Sequence, residues 1–177
     1  MSPGTVEGIY VGAVSEGPLE PADEVVVVAG RGIEGDRYFA ETGTFSDRGR
    51  GGRDLTLFEA EALEGLLAEH GIELAPHEIR RNVMTGGIGL NDLVGRHFRV
   101  GEVECVGDRL CDPCTHLEGL TQPGVLRGLV NRGGLRADVV KGGVMRVGDP
   151  VVDLGPAVHA SSETRFPTGR GDPGRSE

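Results

Sequence analysis

Glycine accounts for 31 of the 177 residues, and 10 prolines accompany it. Each glycine loosens the backbone and each proline removes an N–H donor, so few long helices survive at that density. The chain is therefore expected to fold as short strands, turns and loops around a small number of helices. Apolar residues make up 37% and charged residues 26%, which is apolar enough to close a core and argues against wholesale disorder. The length suits one domain.

Charge narrows the function classes. Lys and Arg total 18 against 28 Asp and Glu, a formal net charge of −10. A general nucleic-acid binder needs a surplus of cations to release counterions, so no nucleic-acid partner is expected. Five Phe, two Tyr and no Trp make a base-stacking platform a poor fit. No apolar run reaches the length of a membrane span, so no membrane partner is expected either. The segment Met1–Glu7 shows no basic stretch leading into an apolar one, and the cysteines, Cys105, Cys111 and Cys114, are odd in number. Both features fit a reducing, cytoplasmic setting.

Residues 4–155 are expected to form the folded domain, and the Gly-, Pro-, Ser- and Arg-rich segment 156–177 a disordered tail. Within the domain, Val6–Val14 reads as a strand, and Glu24–Ala29, with four consecutive valines, as a fully buried one. Residues 30–53 form a long Gly/Arg loop. Thr56 and Glu59 have the spacing of a capping box, which predicts a helix with Phe58, Ala62, Leu63, Leu66 and Leu67 on one face and Gly71 at its end. His97–Val100 and Val103–Val106 alternate around Gly101 and Glu102 as a hairpin, with Phe98, Val100, Val103 and Cys105 inward. Thr115 and Glu118 suggest a second capping box, and Val125–Val130 another short helix. Ala137–Val140, Val144–Val147 and Pro150–Leu154 close the fold as strands. The fold class is mainly β with a few helices (α+β), barrel-like.

Four motifs carry chemistry. Gly30–Gly35 matches G-x-G-x-x-G, but no helix pattern follows to receive a pyrophosphate, so a turn-rich strand exit is the better reading. Arg48–Arg53 interleaves three arginines with glycines, an arrangement suited to an anion or to a solvated loop. Arg80, Arg81 and Asn82 stand at the mouth of a probable strand. Strand alternation would put Arg80 and Asn82 on one face and allow at most one arginine into a given pocket. Cys111-Asp112-Pro113-Cys114 is the most reactive element. A thiol just ahead of a helix N-terminus faces the positive end of the backbone dipole, which favours thiolate chemistry. A zinc site lacks ligands at suitable spacing, and a thioredoxin-like dithiol would sit earlier, after a first strand. A single functional thiol is the preferred reading. His116 suits either a base or a solvated cap, and Cys105 suits a core position.

Taken in order, these pieces resemble a MOSC domain, the module named after the C-terminal domain of molybdenum-cofactor sulfurases, over about residues 5–154. The resemblance rests on Gly32-Ile33-Glu34-Gly35-Asp36-Arg37, Arg53-Asp54-Leu55-Thr56-Leu57 and Arg80-Arg81-Asn82-Val83. It continues through Leu93–Phe98, Cys111–Cys114, Arg132–Ala137 and Gly142–Asp149. It implies a β-rich barrel and a signature cysteine, matched here by Cys114, that carries sulfur as a persulfide or ligates molybdenum. It implies further that Arg80 and Asn82, with Arg53 and Arg136, bind a molybdopterin-type cofactor. The implied function is a stand-alone domain that binds molybdenum cofactor, carries sulfane sulfur on Cys114, or both. Its partner would be a sulfur donor such as a cysteine desulfurase, or a molybdoenzyme. The pyridoxal-phosphate desulfurase domain of the larger relatives has no counterpart in this sequence, so pyridoxal phosphate binding belongs to the family only. One alternative is a molybdenum-dependent reductase of N-hydroxylated compounds with Cys114 as metal ligand. Another is a β-rich binding domain with a redox-active Cys111–Cys114 pair. The resemblance thus leaves a sulfur carrier and an oxidoreductase both open as activities.

Overall fold

A strand buried on both faces organises the molecule. Leu55–Glu59 (β5) sends Leu55 and Leu57 into one core and Phe58 into another, because successive strand side chains point to opposite faces. The computed structural model that shows this describes residues 1–41 and 51–158.

The first core fills a closed barrel. Its seven strands run in the order Pro150–Pro156 (β11), Arg96–Val100 (β7), Val103–Leu110 (β8), Leu135–Lys141 (β9), β5, Val83–Gly86 (β6) and Gly4–Val11 (β1), and β1 pairs back onto β11. Closure is shared along β1: Gly4 and Thr5 pair with β11, while Ile9–Val11 pair with the short outer strand Glu20–Ala22 (β2). A second sheet of Glu24–Val28 (β3), Gly32–Ile33 (β4) and Gly143–Arg146 (β10) adds Val25, Val27, Ile33 and Met145 to the same core. Phe98, Val100, Val103 and Cys105 are all buried, as the hairpin pattern predicts.

The second core lies outside the barrel wall. Strands β5 and β6 are parallel, so a crossover must join them. It is the helix Ala60–His70 (α1), ended by Gly71, followed by a single 3-10 turn, Pro76–Ile79. Ala62 and Leu66 of α1 pack with Phe58, Ile79, and Leu117, Val125 and Leu129 from the short helices Thr115–Leu120 (α2) and Val125–Gly128 (α3) and their ends. Among the described residues, no helix is long and apolar enough to cross a membrane.

Several local expectations change. Thr56 and Glu59 do not cap a helix, because both lie in β5; the helix starts at Ala60. The Thr56 hydroxyl instead donates to Asn82, and the Glu59 carboxylate accepts the Leu90 N–H. Phe58 consequently reaches the second core from a strand, and Leu67 is exposed. The second capping box fails similarly: Glu118 accepts from the Gly124 and Leu126 N–H groups and so joins α2 to α3. Strand β3 is not fully buried, since its sheet covers one face only and Val26 is exposed. The first strand stops at Val11 rather than Val14. At the other end β11 reaches Pro156, and the Ala157 N–H donates to Gly95. The expected tail lies outside the described residues from 159 onward, as do Arg48 and Arg50 of the Gly/Arg island.

Candidate anion and thiol cleft

The barrel wall and the helical layer meet at a small cleft of about 40 Å³, partly open to solvent, lined by Arg37, Tyr38, Arg80, Arg81, Cys114, His116, Leu117 and Arg136. Four guanidinium groups and one thiol therefore share one space, and no carboxylate lines it among the described residues.

Each lining group arrives for a local reason. Arg136 lies on β9 directly opposite Thr56 of β5, on the face of the barrel wall that points outward. Its neighbours Leu135 and Ala137 fill the barrel. No hydrogen bond or ion pair to another described residue holds its side chain. Arg80 ends the 3-10 turn in the left-handed conformation, with φ of 61°. That geometry breaks strand alternation, since β6 begins only at Val83. Both Arg80 and Arg81 consequently face the cleft, where alternation allows one. Arg80 Nη1 donates to the Gly17 carbonyl at 2.8 Å. Arg81 is largely buried and donates to the Gly133 and Ile79 carbonyls. Burial and the nearby Arg37 charge hold the Arg80 guanidinium below the usual arginine range.

Cys114 ends the loop that leaves β8 and stands at the head of α2, half-buried against the second core. The loop is clamped to the wall by backbone. The Cys111 N–H donates to the Gly134 carbonyl at 2.7 Å. A Cβ at Gly133 would run into the Cys111 carbonyl, and one at Gly134 into the Leu57 carbonyl. Gly134 also has φ of 105°, where side chains are strained. The Gly133–Gly134 pair is thus what lets the cysteine loop lie flush on β5. All three cysteines are free; Cys111 and Cys105 are buried. Burial and the surrounding carboxylates push the Cys105 thiol well above its usual range. His116 pairs with Glu16 at 3.3 Å at the cleft edge.

Two residues assigned to the cofactor by resemblance lie elsewhere. Arg53 lines a neighbouring pocket with Arg31, Phe39 and Asp54, which among the described residues shares only Tyr38 with the cleft. Asn82 is 2% exposed and spends its side chain on protein partners. Arg37, Tyr38 and Arg81 enter as lining residues that sequence reasoning did not assign. Arg37 stands in the Gly32–Arg37 motif, which was a usable signal; Arg81 was hidden by the assumption of strand alternation.

The family profile of the MOSC domain matches residues 44–152, more than half of the chain. The chain belongs to the MOSC domain family. Solved structures agree on the fold. The YuaD protein from Bacillus subtilis is 19% identical with a TM-score of 0.71, covering 85% of this chain and 94% of that one. YiiM from Escherichia coli is 19% identical with a TM-score of 0.65, covering 90% and 73%. YiiM from Geobacillus stearothermophilus is 15% identical with a TM-score of 0.66, covering 85% and 75%. A comparison with curated proteins returned no match. In this MOSC domain, the cysteine loop, the Arg80–Asn82 segment and the β9 arginine converge on one wall of the barrel.

Proposed function

We propose that the cleft holds the phosphate-bearing part of a molybdopterin-type cofactor, and that Cys114 is its reactive sulfur, either carrying sulfane sulfur as a persulfide or ligating the cofactor's molybdenum. The observation that supports this is the meeting of one accessible thiol with four guanidinium groups and, among the described residues, no lining carboxylate. Planar guanidinium forks suit phosphate oxygens, and a local cationic cleft on a chain of net charge −10 concentrates anions there.

The donor set fits such a cofactor better than a bare metal ion. No cluster of three His, Cys, Asp or Glu side chains occurs among the described residues. A metal here would find the Cys114 sulfur and would have to arrive with its remaining ligands. When bound, the cofactor would supply molybdenum redox chemistry. The chain's own residues orient it: Arg136 from the barrel wall, Arg80 and Arg81 from the turn before β6, Arg37 from the loop after β4.

For the carrier reading, the thiolate of Cys114 attacks the outer sulfur of a donor persulfide. The donor's S–S bond breaks, its thiolate leaves, and a new S–S bond forms on Cys114, with no net oxidation. The guanidinium groups complement the anionic persulfide that results.

The test is mass spectrometry after incubation with a cysteine desulfurase and cysteine, beside metal and pterin analysis of protein from a cofactor-producing host. The reading expects a gain of about 32 Da on the Cys114 peptide, absent from Cys114→Ser, or stoichiometric molybdenum and pterin. Absence of all three from the wild-type protein contradicts it.

A further inference from the structure

Beneath the cleft runs a buried polar network that reaches it through Arg37. The Asn82 side-chain amide donates to the Tyr10 carbonyl and to Asp36 Oδ1, each at 3.1 Å. Its oxygen accepts the Thr56 hydroxyl at 3.0 Å, and the same hydroxyl oxygen accepts the Asn82 backbone N–H at 3.0 Å. Both amide hydrogens are thus committed, and the amide oxygen is engaged, so the side chain faces inward to the protein. Asp36 is equally engaged. Its carboxylate accepts from the Gly12 and Tyr38 backbone N–H groups at 3.1 Å and from Arg37 Nη1 at 3.3 Å. Arg37 is 3% exposed, and its other terminal nitrogen donates to the Arg80 carbonyl at 3.4 Å.

Two segments 46 residues apart are therefore cross-linked twice, Asn82 to Asp36 and Arg37 to Arg80. The second link seats the Arg37 guanidinium, itself ion-paired to Asp36, on the Arg80 backbone, close enough for its charge to act on the Arg80 side chain. Asp36 offsets part of the repulsion between the two guanidinium groups, and an anion seated against both would offset the rest. Holding the forks in place beforehand removes the entropy cost of gathering them at binding.

We propose that Asn82 is a positioning residue of the cleft: it fixes Asp36, Asp36 aims Arg37, and Arg37 is thereby held beside Arg80 as a preorganised two-fork seat for one phosphate group. This rests on the reading of the cleft as a phosphate site and departs from direct contact of Asn82 with the ligand. Arg136, on the adjacent strand β9, makes no side-chain hydrogen bond to a described residue of the network and so acts apart from it.

Inorganic pyrophosphate is the probe, with affinity measured by calorimetry on the full chain. Asn82→Ala and Arg37→Lys are each expected to weaken binding about tenfold, the scale of one charge-assisted hydrogen bond. The double variant is expected to be no weaker than either single one, because both remove the same seat. Asn82→Ala combined with Arg136→Ala is expected to multiply the two losses. Thr56→Val perturbs the same amide more gently and is expected to weaken binding in the same direction, with the same lack of additivity toward Arg37→Lys. It carries the test if Asn82→Ala does not fold. A merely structural Asn82 would lower stability and leave pyrophosphate affinity unchanged, or multiply equally with Arg37→Lys and Arg136→Ala; either result overturns the proposal. Failure of the wild-type chain to bind pyrophosphate overturns the cleft reading itself, and the positioning role with it.

Discussion

Cys105 and Cys114 stand about a strand's length apart in sequence and in opposite surroundings. Cys105 points into the barrel from β8, fully buried among aliphatic side chains, with Asp54, Asp138 and Glu104 near enough to disfavour its ionised form. Cys114 lies past the end of the same strand, outside the wall, half-buried in a cleft lined by arginine. In the barrel a thiol serves as a small apolar filler. In the cleft the same group meets solvent and four cations. What distinguishes them is the side of the wall on which the chain leaves them.

The largest expected effect breaks or confirms this contrast directly. Iodoacetamide should label Cys114 in the native protein and reach Cys105 at least about a thousandfold more slowly, since Cys105 needs the barrel to open. Peptide mapping of a labelling time course reads both; comparable rates would erase the distinction.

Next comes stability. Leu57→Ala removes a buried barrel side chain and should cost about 3–5 kcal/mol in chemical denaturation. Arg136→Ala should change stability by no more than about 0.5 kcal/mol, since no described partner holds it. A large loss in Arg136→Ala would make the cleft part of the scaffold.

The joint between the regions should show an intermediate effect. Gly134→Ala forces a side chain onto a residue with φ of 105° and against the Leu57 carbonyl, so it should cost about 2 kcal/mol or more and shift Cys114 labelling as well. Unchanged labelling with lost stability would uncouple the cysteine loop from β5.

The smallest effect is a pH dependence at an arginine whose charge is matched. Arg96 donates to both Asp153 oxygens, at 2.9 and 2.7 Å, and holds its carboxyl below the usual range. A lowered folded-state value means the contribution is present above the unfolded carboxylate's value and is lost as pH falls through the folded one. Asp153→Asn should therefore melt below wild type at neutral pH, and the difference should close in acid. Pyrophosphate should raise the melting temperature of both proteins alike. A variant that loses the pyrophosphate shift would show that the anion does not select the cleft arginines.

Much of the barrel was legible in the sequence because two-residue alternation survives in short strands. The hairpin at Gly101, the inward Phe98 and Cys105, and the three closing strands follow from it. The helix start was misplaced because Thr56 and Glu59 have capping chemistry but lie in a strand, where tertiary partners took both side chains. Cys114, Arg80 and Arg136 were singled out from motif positions, and the structure brings those three together. Arg37 and Arg81 were not. Their placement depends on a left-handed residue at Arg80 and on a hydrogen bond between distant segments, and neither leaves a periodic trace. The same network explains why Asn82, expected at the cofactor, is engaged within the protein.

The central claim is that the thiol and the guanidinium groups form one site. Cys114 alkylation by neutral iodoacetamide, measured against increasing pyrophosphate, tests it most directly. The account predicts that pyrophosphate slows labelling in a saturable way in the wild-type protein, and that Arg136→Ala moves the saturation to higher concentration. A labelling rate that stays constant while pyrophosphate binds would place the anion away from the thiol and contradict the account.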